Sequence, residues 1–127
     1  MAPVGSGEML EPGLVRYWFG AELFYANAPL LGEEVRGLVA EAAAPLRWLV
    51  VDASAIPAID FSAGGTLADL KRELSTKGVT LAMTRVGPSL RSDLDRLELT
   101  TLLGADLLFE SRHQCLAAYR AAAGSVS

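Results

Sequence analysis

The sequence predicts an α/β domain: a mainly parallel sheet that begins with a hairpin strand and carries four or so helices. Three observations lead there. β-prone runs alternate with stretches of helical periodicity, the pattern of strand–helix–strand units. The run LRWLVVD, Leu46–Asp52, is apolar almost without alternation, as a strand covered on both faces must be. The run VTLAMTRV, Val79–Val86, sends Val79, Leu81 and Met83 one way and Thr80, Ala82 and Thr84 the other, giving a bulky face and a small one.

In chain order, Met1 to Pro12 is rich in Gly, Pro and Ser and reads as a flexible tail, a linker or residues left from cloning. The domain proper is expected over residues 13–123, with 124–127 as a frayed end. LVRYWF, Leu14–Phe19, is aromatic and branched and reads as a strand. Gly20 interrupts it, and ELFY, Glu22–Tyr25, reads as a short strand hairpinned to the first. Asn27 or Ala28 then caps a helix with Pro29 in its first turn. Leu31, Val35, Leu38, Val39 and Ala42 form its apolar stripe, and Pro45 is expected to stop it. After the LRWLVVD strand, Leu67, Leu70 and Leu74 mark a second helix that ends at Gly78. Gly87 and Pro88 break the VTLAMTRV strand, and Ser89 is placed as the cap of a helix carrying Leu90, Leu94 and Leu97. DLLFE, Asp106–Glu110, reads as a last short strand, and Ser111 caps a final helix with Leu116 and Tyr119 inward.

A chain of 127 residues, 51% of them apolar, fits one domain with a real core. Its net charge of −4 offers no footprint for nucleic acid. The lone cysteine, Cys115, excludes an internal disulfide and suits a reducing compartment. With a single histidine, His113, a zinc centre of the usual ligand set has no residues to draw on. There is no G-x-S-x-G elbow, and His113 sits at the polar start of the last helix, so a serine hydrolase has no supporting constellation. No apolar run approaches the ~18 residues that a membrane helix needs. The N-terminus has neither the basic nor the apolar region of a secretory signal.

Three segments carry a resemblance to a known family. They are VRYWFGAELFYANA, then LRWLVVDASAIPAIDFSAGGTLADLKREL, then KGVTLAMTRVGPSLRSDLDRLELTTLLG with LLFES after it. Together they run from about Leu14 to Arg120 and resemble a STAS domain (sulphate transporter and anti-sigma-factor antagonist). The FYANA segment is the most specific part and resembles the C-terminal cytoplasmic domain of SulP-type anion transporters. The resemblance implies a non-enzymatic regulatory domain on the cytoplasmic face of a membrane transporter, partnered by that transporter's own transmembrane domain. The isolated domain is expected to be monomeric. The runner-up is a stand-alone anti-sigma-factor antagonist, soluble and switched by phosphorylation.

The candidate site lies at the carboxyl ends of the strands, where open α/β sheets bind ligands. It comprises Asp52, Ser54, Asp60, Ser62, Gly64, Gly65, Arg85, Gly87 and Ser89. Helix N-termini expected at Ser62 and Ser89 can aim amides at an anion. The family resemblance implies guanine or adenine nucleotide (GTP/GDP or ATP, with Mg2+) as the ligand. No P-loop and no G-x-G-x-x-G is present, so weak binding without hydrolysis is expected. By the same resemblance Ser62 is the phosphorylation candidate. The plain structural reading of Ser62 is a helix N-cap.

Overall fold

The computed structural model describes residues 5–124. Its sheet has the strand order β1-β2-β3-β4, with β1 at Gly5–Glu11, β2 at Leu14–Phe19, β3 at Trp48–Asp52 and β4 at Thr80–Thr84. β1 runs antiparallel to β2, while β2, β3 and β4 are mutually parallel. The helices are α1 at Ala28–Glu41, α2 at Phe61–Thr76, α3 at Pro88–Arg96, α4 at Leu99–Leu103 and α5 at Arg112–Gly124.

Strand alternation sorts the core into two layers. Val15, Tyr17 and Phe19, with Leu49, Val51, Leu81 and Met83, point to the face covered by α1 to α4. Leu14, Trp48, Val50 and Ala82 point to the other face, where α5 lays Cys115 and Tyr119 against them. β3 is buried along its whole length, as its unbroken apolar run requires. Trp48 packs edge-on against Tyr119 at 5.4 Å between ring centroids. The Tyr119 hydroxyl donates to the Pro12 carbonyl at 2.6 Å, tying α5 to the β1–β2 turn. Cys115 is a small buried apolar residue, and burial pushes its thiol up to about 11.

Four expectations are corrected. Residues 5–11 are not a tail but β1, whose partner in the hairpin is Leu14–Phe19. The turn is made at Pro12 and Gly13, with Gly13 at φ +85, a region that glycine enters without strain. GSGEMLE has little β-propensity of its own, and the ladder to β2 supplies what the sequence lacks. ELFY contributes only an isolated bridge from Leu23 to Ile59. Its continuation is taken up by Asn27, whose Oδ1 accepts from the Phe24 amide at 2.9 Å while its Nδ2 donates to the Glu22 carbonyl. DLLFE likewise gives a 3-10 turn at Ala105–Leu107 and one bridge, Met83 to Leu108. Finally, α1 ends at Glu41, before Pro45. The expectation for residues 124–127 falls, beyond Gly124, outside the described residues.

Candidate functional site

The strand-end residues lie on neighbouring turns, with Asp52 in register beside Thr84. They divide into three places. Asp52 closes β3 and turns inward on the α5 face, buried at 1% exposure. Its Oδ2 accepts from Arg16 Nε at 2.8 Å and lies 2.7 Å from Arg16 Nη2. Its Oδ1 accepts from the Ser54 amide at 2.9 Å. Burial alone would push this carboxyl up, but the Ser54 amide and the Arg16 guanidinium outweigh it and hold Asp52 below the usual carboxylate range. A carboxylate held in this way supports the fold. Ser54 itself is exposed.

The second place is the start of α2. Both Asp60 and Ser62 are residue types that cap helices, and the structure corrects the choice of Ser62. Asp60 is the N-cap, with extended backbone, and its Oδ1 accepts from the Ala63 amide at 2.8 Å. Its Oδ2 accepts from the Tyr25 amide at 3.0 Å. One carboxylate therefore caps α2 and fastens the FYANA segment to it. Ser62 sits in the first turn and is exposed. An anion at this helix end would meet the Asp60 charge where a phosphate site needs free amides. Gly64 and Gly65 follow on α2. Gly64 is buried against α4: a Cβ there would come within 2.9 Å of Leu99 Cδ1. Gly65 faces open space, with nothing within 4 Å of where a Cβ would lie. Gly65→Ala is therefore expected to raise stability by about 0.5–1 kcal/mol, read from urea unfolding midpoints, because it removes backbone freedom from the unfolded chain without a clash. A loss of stability would contradict the placement of Gly65.

The third place is the β4–α3 turn. Arg85 follows β4 with φ at +58, exposed, and no ion pair holds it among the described residues. Gly87, not Ser89, is the N-cap of α3 and has no side chain to close the helix start, so the α3 amides are less committed than those of α2. Ser89 is exposed in the first turn. A hollow of about 550 Å³ opens beside them, lined among others by Gly87, Arg91, Ser92, Asp95 and Glu110. Among the described residues no group of three His, Cys, Asp or Glu side chains is placed to hold a metal ion.

Sequence reasoning missed Phe61, which adds to the exposed aromatics on this side of the domain. Phe61, the first residue of α2, is 83% exposed, and Tyr25 is 70% exposed. Phe24 packs edge-on against Tyr25 at 5.7 Å. Behind Phe61 runs a shallow hollow along Gly64, Gly65, Ala68, Leu97 and Leu99. An apolar residue at a helix start reads as core in a sequence, so Phe61 gave no signal.

The model of one family covers residues 11–115: the STAS domain. The chain belongs to the STAS-domain family. Two Mycobacterium tuberculosis proteins, from strains CDC 1551 and H37Rv, each named as a probable sulfate transporter, are 31% identical to this STAS domain over 109 residues. That alignment takes in 86% of this chain and 20% of each relative, so the chain spans about a fifth of their length. Among solved structures, the murine solute carrier 26 family member A9 anion transporter, in its inward-facing state, superposes with a TM-score of 0.82 at 16% identity. The overlap covers 94% of this chain and 22% of that one. The Bacillus cell fate determinant SpoIIAA, in its phosphorylated form, superposes with a TM-score of 0.61 at 14% identity, over 91% of this chain and 98% of that one. At these identities the two structures show the shared fold. STAS domains are non-catalytic regulatory modules. Among the described residues no helix is long and apolar enough to cross a membrane.

Proposed function

We propose that this STAS domain is the cytoplasmic regulatory module of a SulP-type anion transporter and works against the transmembrane domain of the same polypeptide. The observation that carries the reading is the alignment, at 31% identity, of 86% of the chain with one fifth of a protein named as a probable sulfate transporter. The FYANA segment supports it, because here that segment is a built feature, stapled by Asn27 and pinned to α2 by Asp60. Uptake of labelled sulfate by cells carrying the whole polypeptide tests it. Ser62→Glu places a charge on an exposed first-turn residue and should leave thermal unfolding within about 1 kcal/mol of the parent. It should change uptake several-fold. Equal uptake by parent and variant counts against a regulatory role for this end of the domain.

Nucleotide is part of the proposal as a weak ligand of the β4–α3 turn. Arg85, which no ion pair holds among the described residues, and the open start of α3 favour phosphate there, while Asp95, paired with Arg91, and Glu110 weaken it. Titration with GTP, GDP or ATP and Mg2+ should give a Kd from about tens of micromolar to millimolar. Arg85→Ala should raise it several-fold. A flat titration removes nucleotide from the account.

A second reading, a stand-alone antagonist switched at Ser62, draws support from the exposure of that hydroxyl and the likeness to phosphorylated SpoIIAA. It requires a kinase in the source cell that labels this chain and fails to label Ser62→Ala.

A further inference from the structure

We propose that residues 58–60 are a coupling bar between α3 and the segment 22–27, so that α3 and the exposed Phe24 and Tyr25 loosen or hold together. The coupling needs no ligand and goes beyond the transporter reading. Its first support is the way the bar is strung. On one side the Leu23 amide donates to the Ala58 carbonyl at 3.1 Å, and the Asp60 amide donates to the Leu23 carbonyl at 3.2 Å. These bonds flank the isolated parallel bridge from Leu23 to Ile59. Asp60 Oδ2 then takes the Tyr25 amide at 3.0 Å. On the other side the Ile59 amide donates to Asp93 Oδ2, on α3, at 3.1 Å.

The second support is that the bar cannot slip. Leu23 and Ile59 are both buried and belong to the main core. In a close-packed interior neither side chain has room to move past the other, so a shift of Ile59 carries Leu23 with it. Contiguous packed and hydrogen-bonded contacts of this kind carry energetic coupling between separated places.

The third support lies at the two ends. Asp93 is shared between the bar and its own helix, since its Oδ1 accepts from Arg96 Nη2 at 3.1 Å. The Ile59 amide first, and then Arg96, hold the Asp93 carboxyl below its ordinary range, so the bar is gripped by a charged acceptor at neutral pH. Arg91, Ser92 and Asp95 of the same helix line the hollow at the β4–α3 turn. One nine-residue helix therefore walls that hollow and grips the bar. At the far end Phe24 and Tyr25 are exposed, and so are the side-chain bonds that hold 22–27, the mark of a segment that opens locally. The bar joins the wall of the hollow to the aromatic pair.

Amide exchange on the 127-residue chain, followed by NMR at single residues, tests the coupling. Asp93 makes no hydrogen bond to residues 22–27 among the described residues. Asp93→Ala is nevertheless expected to speed exchange at Tyr25 at least fivefold, along with Ile59. Asp93→Asn keeps an oxygen for the Ile59 amide and is expected to return Tyr25 to within twofold of the parent. The Gln114 amide, held by the Ser111 hydroxyl in an exposed bond at the start of α5, is the reference and should stay within twofold throughout. Coupling is reciprocal, so Asp60→Ser, which frees the Tyr25 amide, should speed Ile59 at least threefold. That arm stands even where Asp93→Ala fails to fold. Faster exchange at Ile59 with Tyr25 unchanged in Asp93→Ala, an equal rise at Tyr25 and Gln114, or an unchanged Ile59 in Asp60→Ser would each overturn the coupling.

Discussion

Asp52→Ala should lower the stability of the domain by about 3–5 kcal/mol at neutral pH, the cost of leaving one partner of a buried pair behind. The Asp52 side chain is 2% exposed and the Arg16 side chain 20%, so the stranded guanidinium finds little water. Asp52→Asn should cost less, because its amide oxygen still accepts from Ser54 or from Arg16, though not from both as a charge. The pH dependence has a definite sign. The folded carboxyl is held below its ordinary value. Its contribution is therefore complete above about pH 4, the unfolded carboxylate range, and fades as pH falls through the lowered folded value. Urea unfolding at pH 7 and at several values below 4 should show parent and Asp52→Asn converging in acid. A gap that stays constant with pH, or a loss under about 1 kcal/mol for Asp52→Ala, would mean that the pair does not act as described.

The second large effect belongs to Asp60. Asp60→Ala removes the acceptor for two amides, Ala63 and Tyr25, and should cost about 2 kcal/mol. Asp60→Ser can rebuild the cap but is too short to hold the Tyr25 amide as well. It should recover about half of the loss. Amide exchange separates the two bonds: the Tyr25 amide should exchange much faster in both variants, whereas the Ala63 amide should be restored in Asp60→Ser. Equal stability of the two variants, or unchanged exchange at Tyr25, would contradict the shared role.

These acids show where the sequence could be read and where it could not. α2 and α3 announce themselves through leucines at helical spacing, α5 through Leu116 and Tyr119, and all three through the punctuation of Gly78, Pro88 and Ser111. β3 is legible because only a doubly covered strand tolerates so apolar a run. β1 was hidden, since Gly5, Gly7 and Glu8 have no strand preference and are recruited by the ladder to β2. ELFY and DLLFE have strand-like composition, but Asn27 turns the first and the Gly104–Leu107 turn curtails the second. At the candidate site, a strand end followed by acid, hydroxyl and glycines was legible as a loop-to-helix junction. That Asp52 would turn inward to Arg16, 36 positions away, was not, because a tertiary ion pair leaves no local pattern. Nor did composition separate Asp60 from Ser62 as the cap, since both side chains can reach an amide of the first turn.

The central claim is that this STAS domain is one module of a much longer membrane polypeptide. The most direct measurement is the size and location of the native polypeptide, with antibody raised against residues 5–124 and applied to membrane and soluble fractions of the source cell. The account predicts a membrane-bound band several times larger than 13.4 kDa, in keeping with relatives of which this chain spans 20%. A soluble band near 13.4 kDa would contradict it and turn attention to a kinase acting on Ser62.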